Sequence, residues 1–170
     1  MHELLIKARA FAQKAHAAQI YGEIYPYYKH LEDVDKTLAE YGFTEEKDLD
    51  LRVAGWLHDI IEDTATSYSD IKREFGEAIA EIVYCVTDEI GRNRKEKKAK
   101  TYPKIRSNPK SVILKVADRI SNVRFSKENK QPQMEMYRKE FPEFQYELRI
   151  YMQVDEMWDC LEKLLFQIDV

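Results

Sequence analysis

The sequence predicts an all-α protein with one domain, and three observations support this fold class. Apolar residues recur at helical spacing along most of the 170-residue chain, and no segment shows sustained alternation with a period of two. Only 5 glycines and 5 prolines are present, which disfavours a loop-rich β protein. A hydrophobic fraction of 44% is enough for a sizeable core. We therefore expect residues 1–170 to form a single helical bundle.

Breaks in the apolar period and helix-stopping glycines divide the first half of the chain. The predicted helices lie at about residues 4–15, 30–41, 48–63 and 69–75. Gly42 and Gly76 end the second and the fourth of these helices. Gly22 and Pro26 mark a loop between the first two.

The second half contains the most regular apolar face of the sequence. It belongs to a predicted helix at about residues 109–124, with apolar residues at Val112, Ile113, Val116, Ala117, Ile120 and Val123. A helix at about residues 78–87 precedes it, and a basic segment at residues 92–106 separates the two. The last helices have apolar residues at Phe141, Phe144, Leu148, Tyr151, Trp158, Leu161, Leu165 and Ile168.

Composition and charge exclude several classes of protein. The net charge of −4 argues against general affinity for nucleic acid. No apolar run is long enough for a membrane span, and the N-terminus lacks the apolar block of a signal peptide. Cys85 and Cys160 stand alone in apolar segments, so we expect buried thiols in a reducing compartment. These features predict a cytoplasmic protein without membrane or nucleic-acid partners, and they leave the oligomeric state open.

The stretch GWLHDIIEDT, residues 55–64, combines an apolar helix face with four titratable groups. His58, Asp59, Glu62 and Asp63 stand among leucine, isoleucine and tryptophan side chains. A buried carboxylate must be paired, hydrogen-bonded or bound to a metal, because an isolated charge is very unfavourable in apolar surroundings. Residues four apart share a helix face, so we expect His58 beside Glu62 and Asp59 beside Asp63.

His58 and Asp59 form a mixed nitrogen and oxygen ligand set. Such a set suits manganese, iron(II), zinc or a similar divalent ion, and two consecutive residues can reach one ion if a helix end points at it. Further ligands could come from Asp118, in the apolar segment ILKVADRISNVR, and from His30, at the start of a helix. The alternative is that these are helix-surface charges with ordinary pairing, and spacing alone does not choose between the two.

Three motifs in a fixed order extend this pattern over most of the chain. LHDIIEDT, VTDE and KVADRISNVR together resemble the HD-domain phosphohydrolases, and more narrowly the hydrolase domain of RelA/SpoT-type proteins and the small alarmone hydrolases. The resemblance covers about residues 10–124, and YRKEFPEF adds a weaker similarity near the end. It implies an HD-type helical bundle that hydrolyses the 3′-pyrophosphate of guanosine tetraphosphate or pentaphosphate and releases pyrophosphate.

The resemblance implies roles for individual residues of this sequence. The family's metal ligands, usually for manganese, correspond to His30, His58, Asp59 and Asp118. Glu62 and Asp63 correspond to the catalytic acidic pair, and Asn122 to an asparagine near the ribose of the substrate. A divalent ion makes water acidic enough to act as a nucleophile near neutral pH. One carboxylate must then take the proton of the water without binding the metal, and Glu62 is placed for that role.

The segment before His30 departs from the family pattern at positions that the family uses near the guanine. Tyr21, Gly22 and Glu23 replace an arginine, a lysine and a serine, and Phe125 replaces a residue that is often threonine. Two roles for Tyr21 stay open, because its ring could stack on a base or pack against Tyr25 or Tyr28. We therefore expect a relaxed or shifted base preference, so that adenine alarmones compete with guanine ones.

The basic segment at residues 92–106 admits two interpretations. It is either a solvated helix face or a phosphate-receiving rim beside the metal, and we favour a partial role for Arg94, Lys98 or Lys104. A substrate with several phosphates needs compensating cations. His16, on the N-terminal helix, aligns with a family position that is not a ligand, and we expect it to be structural.

Two other functions are alternatives to hydrolysis of a guanine alarmone. The first is an HD-domain phosphohydrolase of another nucleotide, such as an adenine alarmone or a nucleoside monophosphate. The second is a nucleotide-binding regulatory module without turnover. It is disfavoured because the residues at all the metal-ligand and acidic positions of the family are present. The favoured partner is a small purine nucleotide, with Mn²⁺ as the cofactor.

Overall fold

The computed structural model describes residues 2–152 and 154–167, and within them the chain is all-α. Its helices are α1 (Glu3–Ala15), α2 (Tyr28–Glu40), α3 (Leu49–Leu57), α4 (Ile60–Asp63), α5 (Tyr68–Phe75), α6 (Glu77–Val86), α7 (Arg94–Arg106), α8 (Pro109–Glu128), α9 (Gln133–Leu148) and α10 (Asp155–Phe166). A 3₁₀ helix, Arg149–Tyr151, lies between α9 and α10. The predicted all-α fold is therefore confirmed, while the predicted core residue Ile168 lies outside the described residues.

Helix α8 forms the centre of the bundle. It starts at Pro109, whose fixed backbone angle suits a first helical position, and the side chain of Asn108 caps it by accepting a hydrogen bond from the Lys110 amide at 3.0 Å. It packs against α2, α3, α6, α7, α9 and α10. Val112, Val116, Ala117, Ile120 and Val123 are buried, as the period predicts, whereas Ile113 is only partly buried and packs against the core. Polar residues on the same helix, Asp118 among them, are thereby held inside the bundle.

The predicted single helix at residues 48–63 is wrong, because the structure has two helices here. Helix α3 ends at Leu57, and the four-residue helix α4 begins only at Ile60. Nδ1 of His58 donates a hydrogen bond to the Gly55 carbonyl oxygen at 2.8 Å. In a continuous helix that oxygen would accept the amide of Asp59. The side-chain bond therefore accompanies the break, and His58 and Asp59 occupy the corner between the two helices.

A small hairpin lies where the sequence predicts only a loop. Strands β1 (Ile20–Tyr21) and β2 (Tyr25–Pro26) are antiparallel, with Ile20 opposite Pro26 and Tyr21 opposite Tyr25. Gly22 turns the chain with a φ of +63°, which favours glycine. Strands of two residues are too short to show alternation in the sequence. The hairpin matters for function because it brings Tyr21 against the start of α2.

The remaining global predictions concern membranes and thiols. No helix in residues 2–152 or 154–167 is long and apolar enough to cross a membrane. Cys85 is buried, Cys160 is partly exposed, and both are free thiols. Cys160 therefore lies nearer the surface than its apolar segment predicts.

Candidate active site

Two histidines and one aspartate from separate parts of the chain converge on one point, and a second aspartate, Asp59, lies beside the two histidines. Nε2 of His30, on α2, lies 3.2 Å from Nε2 of His58 and 3.3 Å from Oδ1 of Asp118 on α8. Oδ2 of Asp59 lies 3.0 Å from Nε2 of His58 and 3.5 Å from Nε2 of His30. One ligand atom each from His30, His58 and Asp118 lies within 4.8 Å of the others. This buried cluster could hold a metal ion.

The orientation of His58 fits a metal ligand. A carbonyl oxygen only accepts hydrogen bonds, so the bond to Gly55 requires a proton on Nδ1 of His58. The lone pair of the neutral ring then lies on Nε2, the atom that faces His30, Asp59 and Asp118. A backbone carbonyl that fixes the ring of a ligating histidine is a common second contact in metal sites. The donor set, two imidazoles and two carboxylates, suits a divalent transition metal.

The electrostatics of the cluster also favour a bound cation. Burial disfavours a charged His58, but the carboxylates of Asp59 and Asp118 outweigh burial and raise its pKa to about 10. Burial likewise opposes the ionisation of Asp118, but Lys115 and the two histidines hold its pKa well below the usual range. The two carboxylates therefore stay ionised, and the point between them attracts positive charge, as a proton or as a metal ion.

Glu62 and Asp63 lie at the edge of the same cavity and are more exposed than the apolar pattern predicts. Oε2 of Glu62 accepts a hydrogen bond from the Asp88 amide at 3.2 Å. Partial loss of solvent raises the pKa of Glu62. Oδ2 of Asp63 accepts a hydrogen bond from Nε2 of Gln19 at 2.8 Å. The acidic pair thus reaches water while it borders the cavity that Asp59 and Asp118 also line.

A second layer of side chains supports Asp59 and Asp63. The Tyr27 hydroxyl donates to Oδ2 of Asp59 at 2.5 Å, a contact that the sequence analysis did not predict. The ring of His16 stacks on Tyr27 with centroids 4.7 Å apart, and its Nδ1 lies 2.7 Å from Oε1 of Gln19. His16 is buried and does not line the described part of the cavity, which agrees with a structural role.

Basic side chains also line the cavity that borders the His30, His58 and Asp118 cluster. The cavity has a volume of about 250 Å³ and is bordered by Arg94, Lys98, Lys115 and Arg119. Arg94 and Lys98 come from the basic segment and lie as the phosphate-rim interpretation expects. Lys104 does not line this cavity in the described structure, and its amine pairs with Glu89 at 2.7 Å.

Lys115 and Arg119 are cavity residues that the sequence analysis missed. Both flank Asp118 in the segment KVADR, so their place in the motif was a usable signal. Nζ of Lys115 lies 3.4 Å from Oδ2 of Asp118, and the guanidinium of Arg119 lies over the ring of Phe144 at 4.5 Å. Helical spacing indicates that a basic residue is on α8, but it does not indicate that a cavity opens beside it.

Tyr21 is opposite Tyr25 in the hairpin, but its ring packs against Phe125 and His30. Its ring centroid lies 4.1 Å from that of Phe125 and 4.9 Å from that of His30. The Tyr21 hydroxyl donates to Oδ1 of Asn122 at 3.1 Å, and Nδ2 of Asn122 donates to Oδ1 of Asp118 at 2.5 Å. Tyr21 therefore contacts two residues of the site, His30 and Asn122, and its stacking on a base stays a prediction.

A comparison with known protein families agrees with the helical fold and with the geometry of the site. The family model described as "HD domain" matches residues 8–144, which is most of the chain. This chain therefore belongs to the HD-domain family, as its motifs predict.

Relatives named for hydrolysis of guanosine alarmones are similar to most of this chain, and others are named as GTP diphosphokinases or pyrophosphokinases. The guanosine-3′,5′-bis(diphosphate) 3′-pyrophosphohydrolase of Aquifex aeolicus is 36% identical over 127 residues, covering 72% of this chain and 18% of that protein. The bifunctional (p)ppGpp synthase/hydrolase SpoT of Escherichia coli is 33% identical over 127 residues, covering 71% and 18%. The chain thus spans less than a fifth of the length of these relatives.

Solved structures show the same fold over nearly the whole chain. A structure described as a metazoan ortholog of SpoT that hydrolyses ppGpp has a TM-score of 0.83 and 21% identity, covering 98% of this chain and 96% of that chain. A structure from Listeria monocytogenes has a TM-score of 0.63 and 25% identity, covering 86% and 99%. The first match shows that the shared helical fold extends beyond the motifs and includes the C-terminal helices.

Proposed function

We propose that this protein is a metal-dependent phosphohydrolase that removes the 3′-pyrophosphate of guanosine tetraphosphate or pentaphosphate, or of a related purine alarmone. The observation that carries the proposal is the buried cluster of His30, His58 and Asp118 beside a cavity lined by four cations. The names of the relatives from Aquifex aeolicus and Escherichia coli support the choice of substrate. We expect the protein to act in the cytoplasm, where such nucleotides and free thiols occur.

The proposed metal ligands are His30, His58, Asp59 and Asp118, with Mn²⁺ as the preferred ion. When bound, a divalent ion supplies Lewis acidity that activates water and neutralises a phosphoryl oxygen. His58 is held in position by Gly55, and Tyr27 orients the carboxylate of Asp59. These contacts keep the four ligand atoms together within the bundle.

The proposed reaction is attack of water on the phosphorus that is bonded to the ribose 3′-oxygen. A bond forms between the water oxygen and phosphorus, and the bond between phosphorus and the 3′-oxygen breaks. Glu62 accepts a proton from the water, since it borders the cavity and is not one of the four proposed ligands. Asp63, held by Gln19, orients the water or directs a proton toward the 3′-oxygen that leaves.

The proposed substrate contacts lie on the cation side of the cavity and along α8. Arg94 and Lys98 would receive phosphate oxygens, since charge-assisted hydrogen bonds to phosphate are strong. Asn122 lies next to Asp118 and would contact the ribose. Tyr21 would contribute through Asn122 or by an edge of its ring, because its faces contact Phe125 and His30.

Removal of a proposed ligand tests the metal site. We expect His58→Ala and Asp118→Ala to lose metal severely after dialysis, because the remaining groups cannot complete the coordination shell. Metal analysis should find about one equivalent in the wild type and in Asp50→Asn, a control whose aspartate pairs with Lys110. If both ligand variants keep a full equivalent, the metal assignment is wrong.

A nucleotide panel tests the reaction itself. Metal-loaded protein should release pyrophosphate from guanosine and adenosine tetraphosphates, and competition between the two should show a guanine preference below about 100-fold, or roughly 2.7 kcal/mol. A stronger preference would show that other residues recognise the guanine. Activity only on nucleoside monophosphates would support the alternative hydrolase, and binding without turnover would support the regulatory module.

A further inference from the structure

One carboxylate, Glu140 on α9, contacts three of the cations in the cavity wall. Oε2 of Glu140 lies 2.5 Å from Nζ of Lys98 and 3.2 Å from a terminal nitrogen of Arg119. Its Oε1 accepts a hydrogen bond from Nε of Arg94 at 2.5 Å. Glu140 does not line the described part of the cavity, whereas all three cations do. The carboxylate therefore joins α7 and α8 to α9 behind the cavity surface.

The balance of charge in this group matters because two of the cations are buried. Lys98 and Arg119 are less than a tenth exposed. Burial lowers the pKa of Lys98, and the contact with Glu140 opposes that effect. Burial likewise opposes the ionisation of Glu140, but Arg94, Lys98 and Arg119 outweigh it and lower its pKa to about 2. One carboxylate is therefore shared by three cations that line the cavity.

We propose that Glu140 is a positioning residue that holds Arg94, Lys98 and Arg119 in the cavity wall and keeps the buried Lys98 charged for binding a phosphate chain. The inference rests on the proposed function for the identity of the substrate, while the binding of polyphosphate by these cations does not depend on turnover. Arg94 and Arg119 stay protonated at pH 7 and at pH 9. Lys98 is therefore the member of the group whose charge depends on Glu140.

The charged groups around Lys98 control the pH at which its ammonium loses a proton. Glu140 acts on it from α9, Arg119 from α8 and Arg94 from its own helix. The phenols of Tyr102 and Tyr137 also line the cavity, and burial raises the pKa of each, so they stay neutral. Without Glu140, Lys98 keeps its burial and two repelling guanidinium groups. It should then lose its proton at a lower pH than in the wild type.

The test is calorimetric titration of the full chain with inorganic pyrophosphate, without added divalent metal, at pH 7 and pH 9. At pH 9, Glu140→Gln should weaken pyrophosphate binding by roughly 10-fold relative to the wild type, which is the loss expected when one charge-assisted contact is removed. At pH 7 the loss should be smaller. Comparing each variant with the wild type at the same pH cancels the titration of pyrophosphate itself. Lys98→Arg in the Glu140→Gln background should remove most of the pH dependence, because arginine stays charged.

Glu147→Gln is the matched control. Glu147 is also on α9 and also pairs with a cation of α7, Arg106, but neither residue lines the described part of the cavity. Its substitution should leave pyrophosphate binding within about 2-fold of the wild type. If Glu140→Gln does not fold, Glu140→Asp is the second variant, since its shorter side chain should cause a smaller loss with the same pH trend.

Three results would overturn the inference. They are wild-type affinity in the Glu140 variants at both pH values, an equal loss in Glu147→Gln, and no pyrophosphate binding by the wild type. The outcome is separable from that of the proposed function. Pyrophosphate binding that depends on Glu140, in a protein that hydrolyses no 3′-pyrophosphorylated nucleotide, would support the inference and contradict the proposed function. Hydrolysis of such a nucleotide, with pyrophosphate binding that does not depend on Glu140, would support the function and contradict the inference.

Discussion

At the scale of single residues, Glu62 is the group on which the proposed chemistry depends most directly. It borders the cavity but is not one of the four proposed metal ligands. We expect Glu62→Gln to keep its fold and its metal and to lose about 10²–10⁴-fold in kcat, since an amide cannot take a proton from water. Steady-state kinetics with metal analysis would check this. A kcat near that of the wild type would leave Asp63 as the candidate base.

The matched control for Glu62 is Glu89→Gln. Glu89 pairs with Lys104 outside the described lining of the cavity, so this substitution removes a nearby carboxylate without touching the site. It should leave kcat within about 2-fold of the wild type. A large loss in the control would show that general charge, rather than the position of Glu62, controls the rate.

The pH dependence of kcat follows from the direction of the Glu62 pKa shift. Burial raises the pKa of Glu62 above its ordinary 4.5. A general base must be ionised, so activity should be retained at high pH and lost as the pH falls through this raised value. A pH–rate profile of the wild type should therefore have an acid limb above pH 4.5. An acid limb at or below that value would contradict the assignment.

At the scale of single elements, the start of α5 provides a prediction that is independent of the site. The Ser67 hydroxyl oxygen caps this helix by accepting a hydrogen bond from the Asp70 amide. The Asp70 carboxylate in turn accepts a hydrogen bond from the Ser67 amide. We expect Ser67→Ala to lower the free energy of unfolding by about 1 kcal/mol, as loss of such a cap usually does. Denaturant unfolding would measure it, with exposed Ser69→Ala as the control on the same helix. An equal loss in both variants would contradict the cap.

The corner between α3 and α4 is the element whose geometry the site needs most. Apolar period and length alone favour one helix through residues 48–63, since Leu57, Ile60 and Ile61 continue the pattern. At the break, the His58 side chain bonds the Gly55 carbonyl and its Nε2 faces the cluster. Sequence motifs predict which two residues serve the site, but the local period does not predict the corner.

At the scale of the whole molecule, a buried ion network ties three helices together. Asp35 on α2 accepts bonds from Arg52 on α3, at 2.5 Å, and from Arg9 on α1, at 3.0 Å. Arg52 also donates to the Phe43 carbonyl at 3.0 Å. We expect Asp35→Ala to lower the free energy of unfolding by about 3–5 kcal/mol, because it leaves a buried guanidinium uncompensated.

Denaturant unfolding of Asp35→Ala beside Asp50→Ala separates burial from charge. Asp50 pairs with Lys110 in a contact that is much more open to solvent. Its removal should cost under about 1 kcal/mol, as for most exposed ion pairs. Similar losses in the two variants would show that the network around Asp35 is not a main support of the bundle.

The helical class, most helix ranges and the converging residues His30, His58 and Asp118 can be predicted from the amino-acid sequence. These features depend on local spacing and on motifs, which a chain carries without its fold. The buried faces of α6 and α8 follow their periods at most positions, and the match to the HD-domain family model confirms the resemblance.

The contacts between side chains that are distant in the sequence could not be predicted without the folded structure. The contacts of Glu140 with Arg94, Lys98 and Arg119 join residues that are 21 to 46 positions apart in the sequence. Likewise, the Tyr21 hydroxyl meets Asn122 across 101 positions. Periodicity reports which face of a helix is buried, but it does not report which partner from another helix meets that face. Whether a buried cation is paired, and toward which cavity it points, depends on that packing, and so does the proposed role of Glu140.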